Sequence, residues 1–127
     1  MKIVIVDSIR KKEFKHGYIA SEDLDTIISS FTKGIFTPIK GASLPKESQL
    51  IKLYATSVGG AKRIVFLVDM KTKDGYILFY RGKNDAIGKN ISIKNPAFKK
   101  KLIRYLELLD SDMEKGSYTI YSDQRKS

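Results

Sequence analysis

Two neighbouring stretches, residues 50–56 and 62–70, place cations and a tyrosine where β-structure would gather them. Successive side chains of an extended chain point to opposite faces. In the second stretch Ile64, Phe66 and Val68 therefore face one way and Arg63, Val65, Leu67 and Asp69 the other, while in the first Ile51, Leu53 and Ala55 oppose Leu50, Lys52, Tyr54 and Thr56. Setting both aliphatic rows under a helix leaves Lys52, Tyr54 and Arg63 together on the opposite, solvent-facing side. A third stretch, residues 76–81, adds either Tyr80 or Arg81, depending on register. Cations in such a strip can hold phosphates, and tyrosines can stack on bases or donate hydroxyl hydrogen bonds. Arg63, flanked by Ile64, Val65 and Phe66, needs a partner for its fork of donors. An antiparallel sheet also solvates one face with Lys, Arg and Tyr for no functional reason, so the strip alone does not define an activity.

The charge distribution adds weight to a polyanionic partner, RNA before others. The 127 residues carry 24 Lys and Arg against 14 Asp and Glu, a formal charge of +10. Residues 52–104 alone hold 13 basic and 3 acidic residues (Asp69, Asp74 and Asp85), matching the whole excess. Such a field attracts phosphate backbones by releasing condensed counterions. After the third stretch, Gly82-Lys83-Asn84-Asp85-Ala86-Ile87-Gly88-Lys89-Asn90 lacks the spacing of a phosphate-binding P-loop. Lys83 and Lys89 can still reach a phosphate from it, or remain solvated loop residues. The lysines at 99–101 read as a solvated helix face, and His16, with no base or ligand neighbour in the sequence, as a structural or surface residue.

The same composition excludes much. Without cysteine there are no disulfides or thiolate metal sites, and one histidine builds no zinc site. No cofactor is expected. The apolar run Ile3-Val4-Ile5-Val6 is far too short for a signal peptide or a membrane span, and a cytoplasmic protein without membrane contact follows.

The elements that must position these residues suit one domain spanning residues 1–127. Residues 2–6 are short and β-branched, as expected of a first strand buried on both faces or in mid-sheet. Residues 8–17 read as either irregular loop or short helix. Ser21 offers an N-cap, Glu22, Asp23 and Asp25 suit a helix start, and Leu24, Ile27, Ile28 and Phe31 keep helical spacing until Gly34. Pro38, Gly41 and Pro45 make a connecting loop anchored by Ile35, Phe36 and Ile39. The three stretches, separated by Gly59-Gly60 and Lys73-Asp74-Gly75, form an antiparallel meander. Asn95 as cap and Pro96 at the first position open a last helix carrying Phe98, Leu102, Tyr105, Leu106, Leu109 and Met113, which Gly116 ends. Residues 117–121 add a short edge strand, and 123–127 a frayed tail. The fold class is α+β: an antiparallel sheet of about four strands packed on helices.

This order, strand, helix, proline loop, three-stranded meander, helix, resembles the RelE/ParE superfamily of bacterial toxins, with its RelE-, YoeB- and HigB-like branches. Ile27-Ile28-Ser29-Ser30-Phe31 followed by Gly34-Ile35-Phe36-Thr37-Pro38 looks like the family's helix and exit loop. Leu44 and Leu50-Ile51-Lys52-Leu53 look like its second strand, and Arg63-Ile64-Val65-Phe66 stands where the family has an arginine, two aliphatics and an aromatic. The likeness covers about residues 21–105. It implies the toxin of a type II toxin–antitoxin system, an mRNA interferase cutting messenger on the ribosome without a metal and held in a hetero-oligomer by its antitoxin. ParE-like members instead inhibit DNA gyrase, and a non-enzymatic RNA-binding module would use the same strip for affinity alone. Under the nuclease reading Lys52, Arg63 and Lys83 carry the chemistry: Arg63 on the phosphate, Lys52 as base, Lys83 as a second phosphate clamp. Tyr54, Tyr80, Arg81 and Lys89 contact RNA. The chain departs from the pattern after Lys83, where no Tyr or His precedes Tyr105; Tyr118 or Tyr121 would have to fold back to fill that place.

Overall fold

The run Lys2–Val6 forms β1, and in the computed structural model, which describes residues 1–57 and 60–122, its residues Ile3 to Val6 are all buried. The chain passes directly into α1 (Asp7–Glu13), settling the segment left open by the sequence as a short helix, and then into α2 (Ser21–Thr32). The α2 cap position falls on Ala20 and no side chain caps it; Glu22 and Asp23 in the first turn meet the positive end of the helix instead of a Ser21 cap. After β2 (Thr37–Pro38) come β3 (Ser48–Ser57), β4 (Gly60–Asp69), β5 (Gly75–Gly82), α3 (Pro96–Lys115) and β6 (Tyr118–Ser122). The turn residue Gly59 and the tail at 123–127 lie outside the described residues.

The strands form a six-stranded sheet in the order β2-β3-β4-β5-β1-β6. β3, β4 and β5 are the expected antiparallel meander, β1 runs parallel to β5, and β6 closes the far edge antiparallel to β1. β6 is the short edge strand expected over residues 117–121, and the strand not anticipated is β2, a two-residue pairing made by the proline loop on Ile51 and Lys52. α3 starts and stops as its sequence dictates: the Asn95 side chain accepts from the Ala97 N–H at 3.1 Å, Pro96 occupies the first turn, and Gly116 takes φ +72°. No helix among the described residues is long and apolar enough to cross a membrane.

Both faces of the sheet are covered, where one covered and one open face were expected. Ile27 and Ile28 of α2 pack with Ile51, Leu53, Ile64, Phe66 and Val68 as anticipated. The opposite face carries Leu50, Val65, Leu67 and Phe79, and α3 buries them beneath Phe98, Leu102, Tyr105 and Leu109, with Ile9 of α1 beside them. The reason is in the alternating rows themselves: the row holding Lys52 and Arg63 also holds Leu50, Val65 and Leu67, too much apolar area to leave in water. Only the end of that face remains for the cations.

Candidate nucleic-acid interface

The register of β3 on β4 sets Tyr54 opposite Arg63 and Lys52 opposite Val65, so Lys52, Tyr54 and Arg63 do share one face. The Arg63 guanidinium lies 4.6 Å from the centre of the Tyr54 ring, a cation–π contact. That ring is 56% exposed, a large aromatic surface left in water at the sheet's end. Half-buried Lys52 donates to the Ile91 carbonyl at 3.4 Å, which draws the loop after β5 against the strip. Among the described residues no carboxylate lies within ion-pairing distance of Lys52 or Arg63.

β5 contributes Arg81 to this face and sends Tyr80 to the other. Plain alternation from Ile77, which packs on the α2 side, would have done the reverse. A bulge opposite the Val65/Phe66 step shifts the register, Phe66 pairing with Ile77 and Val65 with Phe79, so Leu78 is the extra residue. Leu78 and Phe79 both enter the core under α3, and each later residue changes side. Tyr80 therefore stacks on Phe14 at 4.8 Å, donates its hydroxyl to the buried Asp23 carboxylate and sits under the Lys62 amine, away from Arg63.

Arg81 faces Arg63 across the ladder but is held differently. The Glu13 carboxylate, whose side chain has no exposed area, accepts from Arg81 Nη2 at 2.6 Å and Nε at 2.9 Å, from the Tyr80 backbone N–H at 2.8 Å and from the Tyr105 hydroxyl at 2.5 Å. Its Oε1 thus satisfies an edge N–H that β1, paired with β5 only near Gly75 and Tyr76, leaves uncovered. Asp85 approaches Arg81 from the loop at 3.4 Å. Burial opposes the charge on Arg81, but hydrogen bonding and charge from Glu13, then Asp85, outweigh it and raise the guanidinium pKa above its ordinary value. Burial, with the hydrogen bond to Glu13, pushes the Tyr105 hydroxyl well above the usual phenol range, so it stays a donor. At Asp85 burial works upward, yet the N–H groups of Gly88 and Ile87 and the Arg81 charge win and hold the carboxyl below its ordinary value.

Asp85 also shapes the loop, accepting the Ile87 and Gly88 N–H groups at 2.9 and 3.0 Å. Gly88 is required there, because a Cβ would stand 2.1 Å from the Gly82 carbonyl oxygen. Lys83 and Lys89 of the loop are exposed. Tyr118 and Tyr121 pair with Val6 and Ile3 on the opposite edge of the sheet, with β1, β5 and β4 between them and β3. They do not reach the strip.

Of the sequence-derived candidates, then, Lys52, Tyr54 and Arg63 come together, Arg81 joins them as a tied cation, Lys83 and Lys89 flank them from the loop, and Tyr80 lies on the other side. Glu13, Tyr105 and Asp85, which organise Arg81, carried no recognisable motif. Among the described residues no group of three or more His, Asp or Glu could hold a metal ion. In comparisons with known proteins, no family model, curated protein or solved structure matches the chain.

Proposed function

We propose that the protein is a metal-independent endoribonuclease of the RelE-like kind, a toxin acting on messenger RNA at the ribosome and restrained by a cognate antitoxin. The observation that carries this reading is the Lys52–Tyr54–Arg63 cluster: two cations without carboxylate partners among the described residues, beside an exposed aromatic ring, on adjacent strands of a basic protein. The order of strand, helices, meander and helix, with the first strand parallel to the last of the meander, supports the same reading.

The chemistry is attack of a ribose 2′-oxygen on the adjacent phosphorus. The 2′-hydroxyl gives its proton to a neutral amine, the new O–P bond forms, the P–O5′ bond breaks, and the 5′-oxygen takes a proton from water, leaving a cyclic phosphate and a 5′-hydroxyl. Arg63 offers a planar fork to the crowded phosphate, Lys52 on the same face takes the 2′-proton only when it has first lost its own and stands as the neutral amine, Tyr54 stacks on a neighbouring base, and Lys83 and Lys89 hold flanking phosphates. Arg81, neutralised by Glu13 and Asp85, keeps the adjoining strand in place.

One observation favours a second reading, an RNA-binding module without catalysis: Glu13 and Asp85, the carboxylates closest to the arginine pair, are both engaged by Arg81. Induced expression with mapping of messenger 5′ ends separates the two. The nuclease reading expects growth arrest with new ends, and Arg63→Ala, folded and equally expressed, reducing cleavage by about a hundred-fold or more. Unchanged toxicity of that variant would remove Arg63 from the site. RNA binding without new ends would leave the module, and DNA damage without messenger cleavage would point to gyrase.

A further inference from the structure

We infer that α1 and the loop after it form a second contact surface for single-stranded RNA, continuous with the Lys52–Tyr54–Arg63 strip, so that one strand spans both. This rests on reading the strip as an RNA surface.

α1 is polarised. Ile9 and Glu13 turn into the core, Asp7 is matched by Arg10 at 3.6 Å, and Lys11 and Lys12 are exposed, followed by exposed Lys15, His16 and Tyr18. A merely solvated lysine face needs no fixed backbone, but this loop is pinned. The Gly17 N–H donates to the Phe14 carbonyl at 2.9 Å, and Arg10 Nη1 donates to the Gly17 carbonyl at 3.1 Å, with Gly17 at φ +80°. Phe14 anchors the loop on the Tyr80 ring. The result holds the Tyr18 ring 64% exposed, with the His16 ring centre 6.4 Å away. Apolar ring surface kept in water beside lysines suits unpaired bases stacking while the amines take phosphates.

Continuity with the strip runs through named contacts. Glu13 at the end of α1 holds Arg81, whose ladder partner Arg63 stacks on Tyr54. On the other side Phe14, the neighbour of Lys15 in sequence, stacks on Tyr80, over which Lys62 of β4 sits.

The test measures binding of 2′-O-methylated oligouridylates, which cannot undergo 2′-attack, of about six and about eighteen nucleotides, as a function of salt. The wild type should bind the longer probe about ten-fold tighter or more, because only it reaches both surfaces. Lys11→Ala/Lys12→Ala/Lys15→Ala should abolish that gain, leave the short probe unaffected and lower the salt slope by about 2. Tyr18→Ala should weaken the longer probe about five-fold or more with the slope kept. If both variants match the wild type on the longer probe while Arg63→Ala weakens binding to each, the second surface is refuted and the strip stands. If Arg63→Ala is silent and the lysine variant fails, the loop surface stands and the strip reading falls. A wild type binding neither probe overturns both.

Discussion

Arg63 and Arg81 face each other across β4 and β5, yet the protein treats them as opposites. Arg81 is enclosed by Glu13, Asp85 and the Tyr105 hydroxyl, whereas Arg63 lies on an exposed tyrosine with no carboxylate in reach among the described residues. Like charges directly opposite in a ladder are destabilising. Neutralising one member relieves the pair without consuming the other, so the arrangement leaves one cation as structure and one for an anion from outside.

The largest test of this division is Glu13→Ala. It strips the carboxylate from a partly buried guanidinium and orphans the Tyr80 N–H and the Tyr105 hydroxyl, and should lower stability by about 3–5 kcal/mol in urea unfolding. Arg63→Ala, which loses the contact with the Tyr54 ring, should lower the same stability by no more than about 1 kcal/mol. Equal losses would erase the distinction between the two arginines.

Tyr105→Phe sharpens the enclosed side. At neutral pH it removes one donor to a buried carboxylate, a loss of about 1.5–3 kcal/mol. The hydroxyl pKa is raised in the fold, so the stability it contributes is fully present below the unfolded phenol value of about 10 and is lost as pH rises above that toward the folded value. The wild type should therefore lose stability above about pH 10 more steeply than Tyr105→Phe in matched melts. Parallel alkaline limbs would show that Tyr105 is not a protonated donor to Glu13.

Why one arginine was readable in the sequence and the other was not follows from the strands that carry them. β3 and β4 alternate without interruption, so the placement of Lys52, Tyr54 and Arg63 with one another, and of Ile64, Phe66 and Val68 against α2, was legible from period two alone. The capped start and glycine stop of α3 were legible for equally local reasons. β5 alternates only as far as Leu78. Its bulge depends on how Phe66 and Phe79 pack on opposite sides of the sheet, which no local pattern encodes, and it decides whether Tyr80 or Arg81 meets Arg63. Glu13 sat in a polar stretch whose helical state was itself open, and its partners lie 67 and 92 residues away. Coverage of the second face could have been suspected, since Leu50, Val65 and Leu67 share the row of Lys52 and Arg63.

The smallest effect, and the finest discrimination, lies at Tyr54. An exposed cation–π contact is worth about 0.5–1 kcal/mol, so Tyr54→Ala should barely move the melt while letting the Arg63 guanidinium swing from its resting place over the ring. Tyr54→Phe keeps the ring and loses only the hydroxyl. If the ring serves as a platform for Arg63 and for a base, the Ala variant should bind a short single-stranded RNA about five-fold more weakly or worse, with Phe close to wild type. A Phe variant as weak as Ala would move the role from the ring face to the hydroxyl. Tyr54 would then be a hydrogen-bond donor to RNA, and the exposed face of its ring would serve only to hold Arg63.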